Sequence, residues 1–176
     1  MYHKDVGAGK YLQINNANAA VTSATVAFTS APTSTIFTGG TGVGGATDYY
    51  INYCFASKQG YSKFGSYIGN GNANGPFVYT GFKPAFLMIK QTNNPRNWAI
   101  LDSSRNNSNP ITQYLYADLN IAELTVTSAN YVDLLSNGFK IKATGHTTNE
   151  SGGSYIYMAF AENPFVTSTG IPTTAR

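Results

Sequence analysis

The chain has 176 residues, 42% hydrophobic and 14% aromatic, but only 11% charged, less than half the ~25% of an average globular protein. That aromatic content excludes a disordered chain, which is poor in aromatics and rich in charge. The net charge of +3 comes from lysines and arginines scattered singly, with no cluster to neutralise successive phosphates, which argues against a nucleic-acid partner.

In chain order, short runs of Tyr, Phe, Ile, Val and Thr between Gly, Asn, Pro and Ser turns predict strands. The first four are Lys10–Ile14, Ala24–Phe28, Thr35–Thr38 and Tyr49–Ala56. The last of these is apolar on both sides, so it reads as a covered, central strand in which the lone Cys54 is a buried, inert thiol. Ser57–Leu87 then reads as a long β-hairpin, with strands Lys63–Ile68 and Phe77–Thr80 around a Gly/Asn loop, Gly69–Gly75. Strands at Ala85–Gln91 and Trp98–Asp102 follow. Leu115–Leu124 is the best helical signal, with Asp118 placed to cap a turn or two. Tyr131–Leu135, Gly138–Ala143 and Ser154–Ala161 complete about eleven strands. The pattern predicts one all-β domain, an antiparallel β-sandwich or jelly roll.

A repeat runs through it. Val21-Thr22-Ser23-Ala24 returns as Val126-Thr127-Ser128-Ala129, and Tyr50-Ile51 with Phe55-Ala56 returns as Tyr155-Ile156 with Phe160-Ala161, both at an offset of 105. Halves of about 1–56 and 88–161 are expected, joined by 57–87 and followed by a tail, 162–176. Ile51, Tyr53 and Phe55 would meet Ile156, Met158 and Phe160 in a common core. In this register Met1 falls mid-strand, as an internal residue of a longer protein or the start of a shortened one.

Chemistry-bearing spacings are missing. His3 and His146 have no Cys, His, Asp or Glu at metal-ligand spacing in the sequence, and the Gly69–Gly75 loop has no carboxylate for calcium. Gly39–Gly45 lacks the Lys-Ser/Thr of a phosphate loop. A glycosidase pair would have to be assembled by the fold from Asp102, Asp118 or Glu123. No catalytic residue, metal or cofactor is expected. One cysteine excludes an internal disulfide framework. No run approaches the ~20 apolar residues of a membrane span, and the N-terminus lacks a signal-peptide core, so synthesis in a reducing cytoplasm without membrane insertion is expected. The binding candidates are aromatic and amide side chains. Tyr61, Tyr67, Tyr79 and Trp98 offer a stacking platform, and Lys63, Asn70, Asn72 and Asn74 offer hydrogen bonds to sugar hydroxyls. The competing reading packs the aromatics in the sandwich or against a neighbouring subunit.

The string Tyr53-Cys54-Phe55-Ala56, then Gly60-Tyr61-Ser62-Lys63-Phe64-Gly65-Ser66-Tyr67-Ile68-Gly69-Asn70-Gly71 and Gly75-Pro76-Phe77-Val78-Tyr79-Thr80-Gly81-Phe82-Lys83-Pro84, resembles a C-terminal domain family of tailed-bacteriophage virion proteins, often from marine phages. Leu135–Lys140 and Tyr155–Phe165 share the resemblance. It implies a virion protein of tail-fibre, receptor-binding or capsid-surface type. Its partners would be other virion proteins and a host-surface glycan or protein. Low charge and many tyrosines suggest a homo-oligomer; a trimer is implied by the resemblance alone. A decoration or tail subunit with purely virion partners is the alternative.

Overall fold

The computed structural model of the chain describes residues 1–26, 28–43, 49–125 and 132–162. Eleven strands lie among the described residues: β1 (Lys10–Tyr11), β2 (Val21–Thr22), β3 (Ser62–Ile68), β4 (Phe77–Tyr79), β5 (Pro84–Gln91), β6 (Ala99–Asp102), β7 (Gln113–Tyr116), β8 (Leu124–Thr125), β9 (Val132–Leu135), β10 (Gly138–Ile141) and β11 (Ser154–Ala161). A single 3-10 turn, Thr41–Val43, and one short helix, α1 (His146–Asn149), are the helical elements among them. The fold is all-β and every strand pair is antiparallel. No helix among the described residues is long and apolar enough to cross a membrane.

Three sheets form: a six-stranded one in the order β3-β11-β5-β6-β7-β8, a three-stranded one in the order β4-β10-β9, and the pair β1-β2. The long strands β5 and β11 are apolar on both faces and lie side by side inside the larger sheet, as doubly covered strands do. One face carries Leu87, Ile89, Leu101, Tyr155 and Tyr157, and these join Val78, Val132, Leu134, Phe139 and Ile141 of the smaller sheet in one buried cluster. Phe139 sits at its centre, edge-on to Tyr157 at 5.2 Å and to Tyr67 at 6.1 Å. Burying such a ring stabilises by about 1.5–3 kcal/mol. On the opposite face Ile156 packs with Leu12 and Trp98 under the N-terminal segment, with Met1, Val6, Ala20 and Met88 around them.

Seven expected strands appear within a few residues of their predicted bounds, as β3 to β6 and β9 to β11. Lys10–Ile14 shrinks to β1. Five expectations differ from the structure. Ser57–Leu87 is not a hairpin: β3 pairs with β11 and β4 with β10, so the Gly/Asn loop carries the chain from one sheet to the other. Tyr49–Ala56 forms no strand, and Cys54 is exposed. Phe55 touches Phe160 at 6.0 Å, but the Ile/Phe faces of the two repeats share no common core: Ile51 and Tyr53 are each 81% exposed while Ile156 is 3% exposed. Leu115–Leu124 holds the end of β7 and the start of β8 instead of a helix, and Asp118 accepts from the Trp98 backbone N–H. Thr35–Thr38 is not a strand either. Val126–Ala129, Ala27 of the Ala24–Phe28 prediction, Tyr131 and 163–176 of the tail lie outside the described residues.

Candidate functional site

The eight candidate binding residues do not converge. Tyr67, on β3, is buried, stacked on Tyr155 at 5.0 Å, with its hydroxyl donating to the Thr148 carbonyl at 2.8 Å. Burial raises its pKa well above the usual value. Trp98 is 1% exposed, and its indole N–H donates to the Gln13 carbonyl at 2.9 Å. The Lys90 ammonium lies 5.9 Å from its ring centre, within cation–π range. Both rings hold the scaffold together and offer no stacking surface.

Asn70, Asn72 and Asn74 stand in the loop between β3 and β4, organised by a residue the sequence did not single out. Asn149, at the end of α1, is fully buried. Its side-chain nitrogen donates to Asn70 Oδ1 at 3.1 Å, to the Asn72 carbonyl at 2.8 Å and to the Ala143 carbonyl at 2.6 Å. Its oxygen accepts from the Asn70 backbone N–H at 2.9 Å. Asn70 Oδ1 also takes the Asn72 N–H, and Asn72 Oδ1 the Asn74 N–H, the local bonding that suits Asn to turns. Beside this knot, Glu150 accepts from Gln91 at 2.5 Å and Asn94 at 2.9 Å, and these hydrogen bonds hold its carboxyl below the usual range. The Asn70 side chain is thus spent internally, while the Asn74 side chain is exposed.

The exposed aromatics lie elsewhere. Phe160, on the outer face of β11, is ringed by Tyr61 at 5.8 Å, Phe64 at 5.9 Å, Phe55 at 6.0 Å and Phe86 at 6.1 Å. From Phe55 the patch continues into an uncharged strip in which Tyr49 is 103%, Ile51 81% and Tyr53 81% exposed. The patch borders β3, the edge strand of its sheet. The outward N–H of Phe64 is taken by Ser57 Oγ at 3.1 Å, and Ser66 and Ile68 farther along are exposed. An apolar patch beside a sheet edge is suited to holding another protein. Of the candidates only Tyr61 belongs to it; Lys63 is half-buried on β3, and Tyr79 is exposed on the smaller sheet.

Asp102 and Glu123 are brought together, but through Arg105, whose guanidinium binds Asp102 Oδ2 at 2.7 Å and also Glu123. The three form an ion-pair clamp. Among the described residues no three His, Cys, Asp or Glu side chains gather as metal ligands.

A family model described as a domain of unknown function, DUF7483, matches residues 1–164. No curated protein and no solved structure matches the chain.

Proposed function

We propose that the chain, which belongs to the DUF7483 family of domains, is a structural protein of a bacteriophage virion, a tail-fibre or surface-appendage domain that attaches the particle to a host-surface glycan or protein. The observation that carries this reading is the exposed strip Tyr49–Phe55 running into the Phe160 aromatic patch. A lone soluble domain rarely exposes so much contiguous apolar surface; a subunit of an assembly covers it with its neighbours. The resemblance of the Gly60–Pro84 string supplies the kind of assembly. The two larger sheets facing each other across one buried cluster fit a two-layer β-sandwich, an architecture that presents loops at its ends for recognition.

The internal bonding of Asn70 and Asn72 favours a second reading, a capsid decoration or tail subunit whose partners are all virion proteins. Mass spectrometry of purified virions separates the two. Tens of copies per particle are expected for a fibre and hundreds for a decoration; absence from the particle defeats both. Purified chain added to host cells ahead of phage is expected to reduce adsorption, and undiminished adsorption would overturn the attachment reading.

A further inference from the structure

A cleft of about 210 Å³ lies between the β6–β7 connection and the end of β11. We propose that it binds one neutral sugar ring of a surface glycan; the choice of a sugar rests on the attachment reading above, whereas the cleft's shape and chemistry do not.

The wall is built before any ligand arrives. Asn106 Oδ1 accepts the backbone N–H groups of Thr112 and Gln113 at 2.9 and 2.8 Å. Asn109 binds the carbonyl and N–H of Leu134 through its two side-chain atoms, both at 2.9 Å. These four bonds fix the loop across β9, leaving its intervening residues, Asn107 and Ser108, exposed. Together with Ser103 they line the cleft with residues that carry an amide and two hydroxyls. Across from them the Lys83 ammonium and Glu162 carboxylate pair at 2.7 Å, held in place by a backbone bond from the Glu162 N–H to the Lys83 carbonyl at 3.0 Å. Apolar contact is confined to Ile111 and Leu134.

This lining selects its ligand by chemistry. The adjacent opposite charges cancel, so neither an anion nor a cation is favoured, yet each still makes strong charge-assisted hydrogen bonds. Hydroxyl groups, which donate and accept at once, match a wall offering ammonium and amide donors beside carboxylate and hydroxyl acceptors. The volume falls under the ~300 Å³ lower end of drug-sized pockets, a size that suits a single ring. Affinity for a ligand so small is millimolar. Many copies on one particle raise it by avidity.

The test is a titration of the full chain with the methyl glycosides of glucose, galactose, mannose and N-acetylglucosamine, followed by amide NMR shifts. Saturable shifts at Ser103, Asn107, Ser108 and Leu134 are expected with at least one glycoside. Glu162→Gln should weaken binding by about tenfold, and Asn107→Ala with Ser108→Ala, both exposed, should weaken it without moving the thermal midpoint. The proposal is overturned by flat titrations with all four sugars, by shifts that survive these variants unchanged, or by a preference for glucuronate over the neutral glycosides. Binding that saturates while the sugar leaves virion adsorption unaffected would keep the cleft and defeat the attachment reading. Adsorption blocked by the purified chain with flat titrations would do the reverse.

Discussion

Asn149 and Asn70, 79 residues apart in the chain, are joined amide to amide: the buried Asn149 nitrogen donates to Asn70 Oδ1 at 3.1 Å while its oxygen takes the Asn70 backbone N–H. This contact lets the chain leave β3 for the other sheet at Gly69 instead of turning back on itself. Asn149→Ala would leave the Ala143 and Asn72 carbonyls and the Asn70 N–H without their partner. A loss of about 2–4 kcal/mol is expected, since each buried group left unsatisfied costs about 1–3 kcal/mol. Asn149→Asp should do no better, because a carboxylate cannot donate to those carbonyls. Denaturant unfolding checks both; a change under about 0.5 kcal/mol would remove Asn149 from this role.

Legibility in the sequence follows range. β5 and β11 were readable because alternating and doubly apolar runs such as Leu87–Ile89 and Tyr155–Phe160 write their burial into local order. The sheet change at Gly69–Gly75 was not, because it depends on Asn149, far along the chain, and a Gly/Asn loop looks the same in a hairpin and in a crossover. Tyr49–Ala56 has strand composition but no strand partner among the described residues, and composition does not reveal a missing partner. The binding aromatics are illegible for a related reason: such residues are chemically alike whether buried like Trp98 or exposed like Tyr61, and only packing tells them apart.

The smaller sheet depends on a close approach at Gly138, where an added Cβ would fall on the Val78 carbonyl oxygen and against the Phe77 ring. Gly138→Ala must therefore push β4 away from β10, at a cost of about 1–3 kcal/mol. Gly152→Ala is the control: the space beside it is open, and its φ of +73° adds only the ~1–2 kcal/mol strain of a left-handed side chain. Urea midpoints of the two variants should differ in slope as well as position if β4 detaches in Gly138→Ala alone, because slope reports the surface exposed on unfolding.

Alkaline pH should first stabilise and then destabilise the fold. Lys90 is fully buried, donating to the Gln91 carbonyl at 2.7 Å and the Ala17 carbonyl at 3.1 Å. Loss of hydration lowers its pKa from 10.5 to about 8, against the opposing pull of Asp118. Between those values the unfolded chain binds the extra proton, so stability rises with pH. Tyr155 and Tyr157, pushed up by burial to about 12, act in the opposite sense. Above about pH 10 the unfolded chain loses phenolic protons that the fold retains. Unfolding midpoints should peak between these regimes, and Lys90→Met should remove the rise while leaving the fall. A rise that persists in that variant would assign it to another group.

The strip Tyr49–Phe55 carries the strongest expectation about assembly. Tyr49, Ile51 and Tyr53 are almost fully exposed, so replacing all three by Ser removes little buried surface, and each change should alter stability by no more than about 0.5 kcal/mol. If copies of the chain cover this strip in one another, light scattering after gel filtration should show an oligomer, a trimer on the fibre reading, and the triple variant should run as a monomer with an unchanged thermal midpoint. The uncharged strip sets no like charges against each other when two copies meet, so salt should hardly affect the association. A wild-type monomer at every concentration, or an oligomer indifferent to the substitutions, would refute self-association through this strip and leave it to a different protein.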